Sequence, residues 1–148
     1  QENLFERMAC GETIEGARQN ISEAIAADPD IREYLIFGGE GPIGAAEVIQ
    51  SEGRAGDISV VGAFSPGQEK KMVRDWLIVG GYIWDPKEAG RVFVTLGQML
   101  TEGTELTNGI DIEGLGALNW DFTAHKLISD KLIEVNAETV DGLAARGL

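Results

Sequence analysis

The chain has 148 residues, enough for one domain with a real core. Twelve basic residues face 25 acidic ones, for a net charge of -13. That balance excludes a phosphate-gripping basic face, so neither nucleic acid nor an anionic membrane is an expected partner. The one cysteine, Cys10, rules out an intrachain disulfide and a thiolate metal cluster, and no metal or other cofactor is expected. The single histidine, His125, lies far from Cys10 in sequence, which leaves a Cys–His nucleophile pair open but the less favoured reading. No apolar run is long enough to cross a bilayer.

Residues 1–11 are set apart as a segment with no assigned element, and the domain is read over 12–148. Residues 13–27 are predicted to form a helix, with Ile14, Ala17, Ile21, Ala24 and Ile25 as its apolar stripe, Thr13 as N-cap and Asp28-Pro29 as stop. Glu33 to Phe37 reads as a buried strand. Gly38 to Gly41 is a loop, and Pro42 suits the first turn of a second helix carrying Ile43, Ala46 and Ile49 and ending at Gly53. Asp57 to Gly62 is the next strand. Ser65-Pro66 opens a third helix that runs to Arg74 or Trp76, with Trp76 in the core. Leu77 to Ile83 is a third strand, weakened by Gly80-Gly81. Asp85-Pro86 opens a fourth helix with Ala89, Val92, Phe93, Leu96 and Leu100 as its buried stripe, closed by Gly103.

Asn108-Gly109 is a hairpin signal with short strands expected on both sides. Gly114-Leu115-Gly116 precedes a further extended piece, and Trp120-Asp121-Phe122 reads as a packed turn. Lys131 to Val135 is a last strand, and Asn136 caps a short helix ending near Gly147. The alternation of periods predicts an α/β fold: a mainly parallel sheet with helices on both faces. Ligands of such sheets bind at the carboxyl ends of the strands, here Gly38 to Gly41, Ala63 to Pro66 and Trp84-Asp85.

Two constellations stand at those ends. Gly39-Glu40-Gly41-Pro42-Ile43-Gly44 fits the dinucleotide pattern G-x-G-x-x-G between a strand and a helix. Glu40 puts a negative charge where a phosphate belongs, and Asp57 sits at the start of the next strand rather than its end. A tight strand-to-helix turn explains the glycines better. Tyr82-Ile83-Trp84-Asp85-Pro86 is a natural sugar platform, the indole stacking on C–H faces and the carboxylate accepting hydroxyl hydrogen bonds. Asp85 also suits the N-cap ahead of Pro86, a role compatible with the first. No nucleophile elbow, metal-ligand spacing or acid/base pair of carboxylates is present, so no enzyme activity is expected.

The order Asp28-Pro29-Asp30-Ile31, strand, Ile43-Gly44-Ala45-Ala46, Ile58-Ser59-Val60-Val61-Gly62, Phe64-Ser65-Pro66 and Trp84-Asp85-Pro86 resembles the carboxy-terminal lobe of type I periplasmic sugar-binding proteins. The Trp-Asp-Pro and the Gly114 to Gly116 turn are similar to the branch that holds autoinducer-2-binding and rhamnose-binding proteins. The resemblance implies a solute-binding component of an ABC transporter. Such a protein traps a small sugar-like ligand between two lobes, docks on a membrane permease, and is periplasmic or lipid-anchored outside the cell. It also implies that this chain is the carboxy-terminal portion of a longer protein, which gives the fragment a tendency to self-associate. By position, Gly39, Glu40, Phe64, Ser65, Trp84 and Asp85 are the implied ligand contacts. Many relatives place Asn-Asp after the first strand, where this chain has Gly38-Gly39-Glu40, and ribose-type relatives place Asp after Val-Val-Gly-Phe, where it has Phe64-Ser65, so the resemblance does not point to ribose and leaves the ligand class open. Two other readings remain open: the sensor core of a sugar-responsive transcription repressor, and a small nucleotide-binding oxidoreductase using the Gly39–Gly44 loop.

Overall fold

In a computed structural model of the chain, which describes residues 7–10, 12–113, 116–121, 123–124, 126–129 and 131–148, the helices begin where the sequence punctuates them. Helix α1 spans Ile14–Ala27, and the Thr13 hydroxyl caps it by accepting from the Gly16 amide at 3.0 Å. Its stripe of Ala17, Ile21, Ala24 and Ile25 is buried as expected. Strand β1 (Glu33–Ile36), helix α2 (Gly41–Ser51), strand β2 (Ser59–Gly62), helix α3 (Pro66–Arg74) and strand β3 (Gly80–Ile83) follow in alternation. Pro42 and Pro66 sit in the first turns of their helices, where a missing N–H costs nothing.

The chain divides into two compact units, Gln1–Ile83 with Glu134–Leu148, and Trp84–Ile133. The first holds a four-stranded sheet in the order β1-β2-β3-β7, where β7 is Ile133–Val135. β1 runs parallel to β2, Ile36 beside Gly62, and β2 runs parallel to β3, Gly62 beside Gly81. This is the expected parallel α/β sheet flanked by helices. Helix α1 packs on α2, and α3 packs on the last helix, α5 (Val140–Ala145). Ala45, Ala46, Ile49, Ile58, Val60, Val73, Ile78, Val135 and Val140 fill the core between helices and sheet.

The strand expected to be buried at 33–37 is a strand over Glu33–Ile36 but is not buried throughout. Burial in β1 alternates, with Leu35 exposed and Tyr34 and Ile36 half-buried, as the two-residue period of a strand dictates. Leu35, Phe37 and Tyr82 are all exposed. Trp76 is likewise exposed rather than core: it lies just past α3 at φ 60°, where the chain turns to carry Leu77 and Ile78 inward instead.

The second unit holds helix α4 (Pro86–Thr101) and an antiparallel sheet of β4 (Ile110–Ile112), β5 (Gly116–Asp121) and β6 (Lys126–Ile128). Its core is Val92, Ile112 and Leu118, with Leu96, Ile110 and Leu127 against them. Of the stripe expected to be buried on α4 only Val92 is, whereas Phe93 and Leu100 are exposed, because the small three-stranded sheet covers only part of the helix. Asn108-Gly109 does turn, Gly109 at φ 80° and the Asn108 side chain accepting from the Trp120 amide. Residues 104–107 before it are not a strand, so the antiparallel pair is β4 with β5, one turn later. Trp120 and Asp121 lie in β5 rather than in a turn. Gly114, Leu115, Phe122 and His125 lie outside the described residues.

Candidate functional site

Parallel strands in register end level, so the loops after β1 and β2 share one edge of the first unit's sheet. Gly38 turns the chain out of β1 at φ 112°, a conformation that favours glycine. Gly39 and Glu40 are exposed there, and Glu40 stands at the N-cap of α2 without making a side-chain capping bond. After β2, Phe64 is only 3% exposed, so its ring belongs to the core and its backbone is what it offers to the edge. Ser65 is half-buried at the N-cap of α3, and its hydroxyl makes no capping bond. The fold thus brings Gly39, Glu40, Phe64 and Ser65 to one sheet edge.

Trp84 and Asp85 are the first residues of the second unit. The Trp84 indole is 61% exposed, as a stacking platform requires. Asp85 caps α4, accepting from the Lys87 amide at 2.9 Å. Both border a pocket of about 330 Å³ in that unit, walled by Val92, Phe93, Leu118 and Leu127. The Lys131–Glu88 ion pair, 3.0 Å apart, lies at its wall. An aromatic face, a carboxylate and apolar walls suit a ligand with both C–H and hydroxyl faces.

The glycine loop has a packing role. A methyl group at Gly41 would meet the Ile36 side chain at 2.6 Å, and one at Gly44 would meet the Ile14 carbonyl at 2.3 Å. A larger groove of about 850 Å³ runs between residues 7–10, α1 and β1. The free thiol of Cys10, partly exposed, lies in it. Among the described residues no group of His, Cys, Asp or Glu is arranged to hold a metal ion, and no helix is long and apolar enough to cross a membrane.

One residue that sequence reading passed over is Glu69. It is 1% exposed, neither carboxylate oxygen has a hydrogen-bond partner among the described residues, and burial pushes its carboxyl up to about 7. The signal was its place in the stripe Pro66, Glu69, Val73, three and four residues apart on one helix face.

A model of the periplasmic binding protein domain matches residues 3–105. The chain belongs to that family. Three solved structures similar to this periplasmic binding protein domain show the same fold. A solute-binding protein of an ABC transporter from Clostridium phytofermentas, with bound L-rhamnose, is 15% identical with a TM-score of 0.78; the match covers 93% of this chain and 47% of that one. LsrB from Clostridium saccharobutylicum, in complex with AI-2, is 14% identical with a TM-score of 0.76, covering 96% and 48%. A sugar ABC transporter protein from Actinomyces odontolyticus is 18% identical with a TM-score of 0.73, covering 91% and 44%. The chain therefore spans less than half the length of each of these structures. No curated protein sequence matches it.

Proposed function

We propose that this periplasmic binding protein domain serves in the solute-binding component of an ABC transporter. It takes up a small sugar or sugar-like ligand, of the rhamnose or autoinducer-2 kind, outside the cytoplasm and delivers it to a membrane permease. It binds and does not catalyse. The observation that supports this best is the family match over residues 3–105, which ends beyond the level strand ends bearing Gly39, Glu40 and Ser65. The proposed contacts of the first unit are Gly39, Glu40, the backbone of Phe64, and Ser65; those of the second unit, taken by itself, are Trp84 and Asp85. Trp84 supplies the stacking face and the polar groups accept or donate to hydroxyls. Self-association of the chain, through exposed apolar side chains, belongs to the same reading.

The test is a nuclear magnetic resonance titration of the 148-residue chain with L-rhamnose, autoinducer-2, D-fucose and, as a control, NAD. The reading expects saturable shifts from at least one sugar-like ligand at residues 38–41, 63–65 and 84–85. Saturable shifts from NAD alone, or sugar shifts confined to other residues, would overturn it.

A further inference from the structure

Glu69 lies in the first turn and a half of α3, in the buried stripe it shares with Pro66 and Val73. Among the described residues no cationic side chain pairs with it. On its own helix Lys71 pairs with Asp75 and Arg74 with Asp141, and Lys70 is exposed. Of the elements packed against α3, α5 contributes Asp141 with Arg146 at its end, and α2 contributes Glu47, paired with Arg18, with Glu40 and Glu52 at its ends. The flanking strands β2 and β3 carry no Asp, Glu, Lys or Arg. None of these groups hydrogen-bonds either Glu69 oxygen. A buried ionised carboxylate without a partner is far costlier than a buried neutral one.

The two ends of α3 are fastened differently. At its start, the Gly67 amide donates to the Leu148 carbonyl at 2.8 Å, and the Gln68 and Glu69 amides donate to the Ser65 carbonyl at 3.1 Å. At its end, Val73 is buried and Arg74 is bonded to Asp141 of α5. We propose that Glu69 makes the seating of α3 proton-dependent: protonated, its carboxyl stays in the buried stripe; ionised, it opens the first turn of the helix, residues 66–70, toward solvent, while the 73–74 end stays docked. Ser65 stands at the N-cap position of that same turn, without a side-chain capping bond.

Burial raises this carboxyl from 4.5 to about 7 in the folded chain, its own backbone N–H opposing only part of the rise. Between those values the folded chain holds a proton that the unfolded chain has lost. The stabilisation is therefore fully present below 4.5, falls as pH rises, and is gone above about 7. One such proton changes the folding equilibrium by about tenfold per pH unit within that window.

The test combines urea unfolding and amide hydrogen exchange of the 148-residue chain from pH 5 to 8.5, for wild type, Glu69→Gln and Glu69→Met. Exchange rates are corrected for their intrinsic pH dependence. Between pH 5 and 7 the wild type is expected to lose about 40-fold in folding constant relative to either variant. Its amides at 67–70 should lose protection over the same range while those of Val140 and Leu143, bonded to the Asn136 and Thr139 carbonyls, keep theirs. Equal pH slopes in wild type and both variants would overturn the proposal. So would a loss of protection spread evenly over α3 and α5, which would make the proton a property of global unfolding only.

Discussion

Gly44 of α2 passes against the backbone of α1 at Ile14, so closely that a methyl group at position 44 would stand 2.3 Å from the Ile14 carbonyl oxygen. Backbone cannot swing aside as a side-chain tip can, so Gly44→Ala must part the two helices. Alanine gains up to about 1 kcal/mol in helix propensity, and overpacking costs about 1–3 kcal/mol. The expected net loss is on the order of 1–2 kcal/mol, read as a lower urea midpoint at unchanged slope. Gly39→Ala is the control: nothing lies within 4 Å of the added methyl, so stability should change little. If both changes cost the same, the glycines of this loop serve something other than helix packing.

Trp76 presents the opposite case, a bulky residue where glycine is favoured. Its φ of 60° places it in the left-handed region just after α3, and it is 61% exposed. Trp76→Gly gives up little packing and relieves about 1–2 kcal/mol of backbone strain, part of it offset by the freer unfolded chain. A net gain of up to about 1 kcal/mol is expected in the same urea measurement. A loss of stability would mean that the indole packs on something that repays its conformation.

These two residues show where the sequence was legible and where it was not. The helix starts at Thr13, Pro42, Pro66 and Asp85-Pro86, and the parallel strands between them, follow from capping chemistry and apolar period, which are local. The positions of Gly39, Glu40 and Ser65 at one edge follow from that alternation, because parallel strands end level. Exposure was less legible. The apolar periods of α4 and β1 say which residues share a face, not how much of that face is covered, so they do not reveal that Phe93 and Leu35 are exposed. β6, Lys126–Ile128, is too short to show a period in the sequence. The family resemblance puts Phe64 at a contact position, but only tertiary packing decides that its ring turns inward.

The candidate contacts divide by whether they also hold the fold. Asp85 caps α4, so Asp85→Ala should cost about 1 kcal/mol, whereas Asp85→Asn keeps an acceptor and should cost only a few tenths. Ser65 makes no capping bond, so Ser65→Ala should leave stability within about 0.5 kcal/mol of wild type. A proposed role in sugar binding predicts weaker affinity for Ser65→Ala and Asp85→Asn alike, each lost hydrogen bond contributing about 1 kcal/mol or more, or several-fold in Kd. Stability and affinity are measured on the same samples, by urea unfolding and by calorimetric titration with the sugar that binds. Unchanged affinity in both variants would remove Ser65 and Asp85 from the site.

Phe93, Val94 and Leu100 leave three large apolar side chains of α4 exposed, at 74%, 72% and 59%. Fully burying such a side chain contributes roughly 1.5–3 kcal/mol each, while association costs an estimated 4–15 kcal/mol in lost freedom before any ordering of side chains. Three of them from each copy bring the balance near zero at ordinary concentrations, so the self-association proposed above should be weak and reversible. The net charge of -13 sets copies against one another, and salt screens that repulsion within about 10 Å at 0.1 M. The chain is therefore expected to be mostly monomeric at low salt and low concentration, and to gain dimer as either rises. Phe93→Ser removes the largest contributor without touching the Val92, Ile112 and Leu118 core of its unit, and should return the high-salt sample to monomer with little change in urea midpoint. Sedimentation velocity across a salt and concentration series reads both effects. A wild-type chain that stays monomeric at high salt and high concentration, or a Phe93→Ser chain that associates as the wild type does, would show that this face of α4 does not join two copies.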